Sequence, residues 1–176
     1  LGALDSPGLP LSTSPKMKPS DIRYIVVHCS ATRADHPYPV EALERDHIAR
    51  GFRGAGYHFY IRRSGVIHPL RPLERIGAHA LGYNRCSWGV CYEGGLAPSG
   101  EPQDTRTPAQ REALRSLLRH LLSLAPTAHI VGHRELSPDR NGDGMISPAE
   151  WRKACPSFDA SSEYASLTPS PRPHHG

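Results

Sequence analysis

The chain of 176 residues is poor in lysine: only Lys16, Lys18 and Lys153 are present, so arginine carries nearly all of its positive charge. The arginines are spread along the sequence, and aromatic residues make up only 7% of it. A nucleic-acid-binding surface is typically a basic stripe interleaved with aromatic side chains, and neither feature is visible, so we expect no nucleic-acid partner. The formal net charge of +4 suits an anionic partner but is too small to identify one.

Cysteine is also scarce, and the four cysteines contain no Cys-x-x-Cys pair, which argues against a structural Cys₄ zinc site. A disulfide between Cys86 and Cys91 is left open. No apolar run is long enough to span a membrane. The sequence begins without methionine and without the charged-then-apolar pattern of a signal peptide, so a removed leader and a start inside a longer chain are both open.

Proline, serine and glycine are concentrated at the two ends of the chain, which show no hydrophobic periodicity. We therefore expect flexible tails at 1–20 and 168–176. The segment between them, 21–167, is long enough to bury the core of one domain. We expect this domain to be a monomer, although no sequence feature fixes the oligomeric state.

The hydrophobic pattern between the tails alternates between strand and helix signals. Short apolar runs predict strands, and the runs with one apolar face predict helices. Thr107, Pro108 and Gln110 form a capping box at the start of the longer helix. The predicted strands are 24–28, 57–61, 66–68, 88–92 and 129–131, and the predicted helices are 40–50 and 107–124. This alternation indicates an α/β fold with a mixed sheet.

Two histidines stand where predicted strands end. His28 follows Ile-Val-Val, His133 follows Ile-Val-Gly, and Cys155 comes later in Lys-Ala-Cys-Pro. Ligand sites of α/β sheets gather at strand ends. Two imidazoles and one thiolate would leave a fourth tetrahedral position of zinc for water, which is typical of a catalytic site. Among 11 histidines such a pair can arise by chance, and a lone cysteine more often packs in a core.

Six short motifs strengthen the case, because they occur in a fixed order along most of the chain. They are His28-Cys29-Ser30-Ala31-Thr32, Gly56-Tyr57-His58-Phe59, Gly77-Ala78-His79-Ala80 with Gly82-Tyr83-Asn84, Gly89-Val90-Cys91 with Gly94-Gly95, Gly132-His133-Arg134, and Lys153-Ala154-Cys155-Pro156. The series resembles the type-2 N-acetylmuramoyl-L-alanine amidases, which include phage amidase-type lysozymes and catalytic peptidoglycan recognition proteins. The resemblance covers 21–158.

The resemblance implies a central mixed sheet with helices on both faces. It also implies a zinc enzyme that hydrolyses the amide bond between N-acetylmuramic acid and L-alanine in peptidoglycan or its fragments. Carried over residue by residue, it makes His28, His133 and Cys155 the zinc ligands and Tyr57 and Lys153 the catalytic residues.

Elementary chemistry agrees with these roles. Amide hydrolysis passes through a tetrahedral oxyanion, which a metal ion, a cation and a hydroxyl donor can all stabilise. Lys153 lies two residues before Cys155, and Tyr57 begins a predicted strand, although an arbitrary strand tyrosine is more often only a packing residue. Because the metal set is already complete, we expect His79 and Asn84 to contact substrate.

The remaining histidines are interpreted as surface or structural residues. His58 follows Tyr57, so strand alternation places it on the opposite face. The others with this interpretation are His36, His47, His68, His120, His129, His174 and His175. Cys29 and Cys91 lie in apolar runs and are expected to be small core residues.

A second metal-binding pattern lies between His133 and Lys153. Residues 139–150 match the twelve-residue EF-hand calcium loop, with a glycine at its sixth position. The predicted calcium ligands are Asp139, Asn141, Asp143, Met145 through its carbonyl, Ser147 and Glu150. The alternative is a polar loop whose Ser147 and Glu150 only cap a short helix. We expect a structural calcium ion that positions Cys155 and Lys153.

Several functions stay open beside the amidase. A peptidoglycan-binding module without catalysis is the main alternative, and the complete ligand trio argues against it. A regulator that binds another protein has no specific support. The substrate can be intact wall or soluble muropeptides. The calcium loop favours the cell envelope or secretion, because free calcium is scarce in cytosol, while a phage-encoded or cytoplasmic protein stays open.

Overall fold

The computed structural model describes residues 15–138, 140–143, 145–146 and 154–169. In chain order its elements are strands β1 (Tyr24–Cys29) and β2 (Thr32–Arg33), helix α1 (Val40–Ala49), strands β3 (Phe59–Ile61), β4 (Ile67–Pro69), β5 (Ser87–Tyr92) and β6 (Gly95–Leu96), helix α2 (Pro108–Leu124), strand β7 (His129–Gly132) and helix α3 (Ala160–Glu163). Short 3₁₀ segments lie at Pro19–Asp21, Asn84–Cys86 and His133–Leu136.

The centre of the fold is a five-stranded sheet in the order β4-β3-β5-β1-β7. Strand β1 pairs in parallel with β5 and β7, β3 is parallel to β5, and β4 runs antiparallel to β3. The predicted mixed sheet is therefore confirmed. Because β1 lies inside the sheet, its carboxyl end is flanked by the ends of β5 and β7.

Helix α2 covers one face of the sheet. Thr107 caps its first turn: the Gln110 backbone N–H donates to Thr107 Oγ1, and the Gln110 side chain accepts from the Thr107 backbone N–H. The apolar face of the helix packs on β1 and β5 side chains, including Ile25 and Val27. Its buried leucines are Leu114, Leu117, Leu118, Leu121 and Leu122.

Helix α1 lies on the other face, where Leu43 packs with Tyr60 and Cys91. The helix ends at Ala49 with Arg50 as its C-cap, and Gly51 follows with a φ of 95°, a left-handed conformation that glycine adopts without steric cost. The expected arrangement of helices on both faces is confirmed.

The structure differs from the sequence predictions at several boundaries. Strand β1 continues to Cys29, and β3 begins at Phe59, so Tyr57 precedes the strand that we expected it to begin. Met17, assigned to the N-terminal tail, is 5% exposed and belongs to the main hydrophobic core. Burial of an apolar side chain outweighs the cost of ordering these few residues.

The four cysteines are free, so Cys86 and Cys91 form no disulfide. Within the described residues, no helix has the length and apolar character needed to cross a membrane.

A buried arginine anchors the end of the domain. The Arg106 side chain is fully buried and donates hydrogen bonds to the carboxylates of Asp104 and Glu163. It also donates to the Tyr164 hydroxyl and lies 3.4 Å from the ring centroid of Phe158. These contacts tie the segment after Cys155 to the loop that precedes α2.

Replacing Arg106 with methionine should lower the free energy of unfolding by about 3 kcal/mol, because Asp104 and Glu163 would lose their buried cation. The control is Arg111→Met. Arg111 contacts the same carboxylates, but its side chain is 49% exposed, so its loss should cost less than about 1 kcal/mol. Urea denaturation measures both values, and equal effects would contradict a buried anchor.

His58 fills the α1 face of the sheet as a neutral imidazole. The expectation that it lies on the face opposite Tyr57 is wrong, because both residues precede β3 and strand alternation does not apply to them. It is 0% exposed, and its Nδ1 accepts from the Gly89 backbone N–H at 3.0 Å. Its Nε2 therefore carries the proton and donates to the Arg75 carbonyl oxygen at 2.7 Å. Burial lowers the pKa of His58 from 6.5 to about 4.

This pKa predicts the acid sensitivity of the fold. Between pH 6.5 and pH 4 the unfolded chain binds a proton at His58 that the folded chain does not, so stability falls as the pH falls. The loss from this residue should reach about 3 kcal/mol. Urea denaturation of zinc-free protein should show a smaller decline in His58→Asn than in the wild type. Identical pH profiles would contradict the assignment.

Candidate active site

The structure brings His28, His133 and Cys155 together at the carboxyl end of β1. Their ligand atoms all lie within 4.8 Å of one another. His28 is 1% exposed and Cys155 is 9% exposed, while His133 is half-buried. The site is therefore a largely buried cluster, built on an interior strand of the sheet.

These side chains fit a zinc ion in number, type and spacing. Zinc bonds of about 2.0–2.3 Å in a tetrahedron hold ligand atoms roughly 3.5 Å apart, so small side-chain rotations complete the geometry. Burial raises the pKa of the Cys155 thiol well above its ordinary value, so its ionisation requires a neighbouring cation. The Cys29 backbone N–H already donates to Cys155 Sγ at 3.1 Å.

Backbone packing delivers Cys155 to the two histidines. The Arg134 backbone N–H donates to the Cys155 carbonyl oxygen at 2.8 Å, and the Tyr92 hydroxyl donates to the Pro156 carbonyl oxygen at 2.6 Å. Gly132 permits this approach, because a Cβ there would lie 2.8 Å from Pro156 Cδ. The end of β7 and the Cys155 segment are thus fitted against each other.

Tyr57 lies beside the cluster of His28, His133 and Cys155. Its ring centroid is 4.9 Å from that of His28, and the ring packs against Cys91 on the α1 side of the sheet. Burial, followed by the nearby thiols of Cys91, Cys155 and Cys29, raises the pKa of Tyr57 well above its ordinary value. The hydroxyl is therefore protonated at neutral pH and can act as a hydrogen-bond donor.

His79 contacts this cluster of three side chains through His28. His79 Nδ1 lies 2.9 Å from His28 Nε2, and His79 Nε2 lies 3.3 Å from Ser87 Oγ. The Ser87 hydroxyl donates to the Tyr83 carbonyl, so its oxygen accepts from His79, and His79 Nδ1 accepts from His28. A neutral His28 ring then carries its lone pair on Nδ1, the nitrogen that a metal ion would bind.

Asn84 shapes the loop that carries His79. Its Oδ1 accepts the backbone N–H groups of His79 and Ala80, both at 2.9 Å, and the residue is 9% exposed. The His79 ring rests on Gly89, where a Cβ would come within 2.6 Å of it. The predicted substrate contacts of His79 and Asn84 stay predictions.

Sequence reasoning missed the contribution of His47 to this site. His47 is 6% exposed, and its ring centroid lies 5.4 Å from that of Tyr57. A signal was present, because His47 follows Leu43 by four residues and therefore shares the buried face of α1.

Some predicted residues lie outside the described part of the chain. These are the catalytic candidate Lys153 and the calcium candidates Asp139, Ser147 and Glu150. Among the described calcium candidates, Asn141, Asp143 and Met145 are exposed. Asn141 Oδ1 accepts from the Asp143 backbone N–H, and Asp143 Oδ1 accepts from that of Met145. These are local turn contacts and do not identify a ligand.

The sequence matches the family model described as N-acetylmuramoyl-L-alanine amidase over residues 18–158. It is 39% identical to the endolysin of Klebsiella phage KP32 over 142 residues, which is 81% of this chain and 85% of that protein. It is also 39% identical to the endolysin of Escherichia phage T7 over 135 residues, covering 77% of this chain and 80% of that one.

The fold is similar to that of the N-acetylmuramoyl-L-alanine amidase LysC from Clostridium intestinale URNW. The TM-score is 0.65 at 26% identity, and the match covers 89% of this chain and 92% of that one. With the family match over most of the chain and the clustered histidines and cysteine, the chain belongs to the N-acetylmuramoyl-L-alanine amidase family and hydrolyses the amide bond between N-acetylmuramic acid and L-alanine of bacterial peptidoglycan.

Proposed function

We propose that the amidase is zinc-dependent and that His28, His133 and Cys155 bind the ion. The observation that carries this proposal is the approach of their three ligand atoms to within 4.8 Å at the end of β1. Zinc held by three protein ligands would supply a Lewis acid for the substrate carbonyl and lower the pKa of a water molecule to roughly 7.

Two residues of the chain act on the charge that develops on the carbonyl oxygen. Tyr57 keeps its proton because its pKa is raised, so its hydroxyl donates a hydrogen bond toward the reacting carbonyl. Lys153 precedes Cys155 by two residues and supplies a positive charge to the same oxygen. The half-buried His79 contacts the substrate. Asn84 holds the His79 backbone in place through a hydrogen bond.

A peptidoglycan-binding module without catalysis is the competing function. Such a module has no need of a buried thiol and two imidazoles within reach of one ion. The complete ligand set therefore supports hydrolysis over recognition alone.

Zinc-loaded protein should release stem peptides with a free L-alanine amine from purified peptidoglycan, detected by mass spectrometry. Cys155→Ser should lower the rate by at least about 100-fold, because it removes a proposed zinc ligand, whereas replacing a residue that only supports a ligand costs ~10–100-fold. The variant should also bind less zinc, as measured by elemental analysis. Cys86→Ser is the control, because Cys86 lies away from the cluster and its thiol donates to the Tyr83 carbonyl. Binding of the wall without peptide release would favour the recognition module.

We further propose that residues 139–150 bind a structural calcium ion through Asp139, Asn141, Asp143, the Met145 carbonyl, Ser147 and Glu150. The support is the spacing of oxygen ligands along the sequence, with Gly144 at the sixth position. The ion would order the segment that leads to Lys153 and Cys155.

Calcium chloride in the millimolar range should raise the Tm of zinc-loaded wild-type protein, as expected for an extracellular type of site. Asp139→Ala should abolish this rise and lower the activity. Glu101→Ala, which removes an exposed carboxylate outside the loop, should respond as the wild type does. Calorimetric titration measures binding directly, and an unchanged wild-type Tm with no heat of binding would refute the calcium site.

A further inference from the structure

A buried histidine outside the proposed metal set connects helix α1 to the active site. His47 lies in the last turn of α1 and is 6% exposed. Its Nδ1 accepts a hydrogen bond from the Gly56 backbone N–H at 2.8 Å. Burial, then the charges of Arg50 and Arg71, lower the pKa of His47 to about 4, so the acceptor nitrogen keeps its lone pair at neutral pH.

Gly56 is held from both sides. While its N–H donates to His47, its carbonyl oxygen accepts from the Ala78 backbone N–H at 3.0 Å. A Cβ at Gly56 would lie 2.1 Å from the Ala78 carbonyl oxygen, so the two backbone segments are in direct contact. Tyr57 follows Gly56 directly, so the hydrogen bonds of Gly56 help to determine where the Tyr57 backbone lies.

The Tyr57 ring has one ring neighbour in α1 and another in β1. The His47 ring centroid lies 5.4 Å from that of Tyr57 at an interplanar angle of 53°, and the His28 ring centroid lies 4.9 Å from it. The three rings therefore form a series of contacts between α1 and β1.

We infer that His47 is a positioning residue for Tyr57, acting through the hydrogen bond from Gly56 and through ring contact. This inference rests on the proposed function, in which Tyr57 acts on the reacting carbonyl. A hydroxyl that must meet a developing charge tolerates little displacement, and a misplacement of about 1 Å can cost roughly 100-fold in rate.

Replacing His47 with asparagine or with glutamine distinguishes the effect of the hydrogen bond from the effect of a polar side chain at this position. In His47→Asn, Oδ1 can occupy the position of Nδ1 and accept from Gly56. In His47→Gln, the amide reaches the position of Nε2 and leaves the Gly56 N–H without its acceptor. The two variants are similar in polarity and differ mainly in where the acceptor stands.

The experiment measures kcat and KM on soluble glycan-peptide fragments, together with zinc affinity by chelator competition and Tm. We expect His47→Asn to stay within about threefold of the wild-type kcat and His47→Gln to lose about 10–100-fold, with KM and zinc affinity unchanged in both. Rescue by asparagine with unchanged zinc affinity is a pattern that general loss of packing does not produce.

A double-mutant cycle with Tyr57→Phe tests whether His47 acts through the tyrosine. If it does, adding His47→Gln to Tyr57→Phe should lower kcat by less than about threefold. The inference is overturned if His47→Gln costs the same factor in both backgrounds, if asparagine and glutamine behave alike, or if zinc affinity falls in step with kcat. A wild-type protein that releases no peptide would overturn the proposed function, and this inference with it.

Discussion

The parallel pairing of β1 with its two neighbours is the constraint on which the active site depends. The pairing sets the carboxyl end of β1 next to the ends of β5 and β7, so His28 and the residue after β7, His133, project into the same space. The backbone of Cys29 then supplies the N–H that meets Cys155 Sγ. A change of register by one residue would turn His28 to the α2 face and dismantle the cluster.

The two faces of the sheet carry different side chains, because His28 and the active site lie on the α1 face only. The α2 face is covered by leucines and forms an apolar core. The α1 face is covered near the site by imidazoles and a phenol, each with a defined hydrogen-bond partner or ring neighbour. His58 and His79 rest over Gly89, whose lack of a side chain leaves room for them. Side chains packed this closely have few alternative conformations, and catalysis requires groups that are held in place.

Much of this arrangement follows from sequence patterns. Periodicity located the long helix and the buried strands, and the capping box at Thr107 fixed where α2 begins. The ends of β1 and β7 pointed to His28 and His133, but Cys155 required the resemblance to a family, because its partners are distant in sequence.

The contacts that escaped prediction are tertiary ones. The local pattern of α1 marks His47 as buried but does not indicate that Gly56 is its donor, since that contact depends on how a loop folds back onto the helix. The burial of Met17 escaped for the same reason, because its surroundings in the sequence are those of a tail. Strands β2 and β6, of two residues each, are too short to carry a hydrophobic period.

The anchor at Arg106 has a consequence for how the end of the domain can come away from the sheet. Arg106 grips the polypeptide downstream of Cys155 through Phe158 and Glu163, and the backbone of Arg134 grips Cys155 itself. Detachment of this end of the domain from the sheet would therefore carry Cys155 away from His28 and His133. The durability of one buried arginine cluster thus limits how long the three ligand residues stay together.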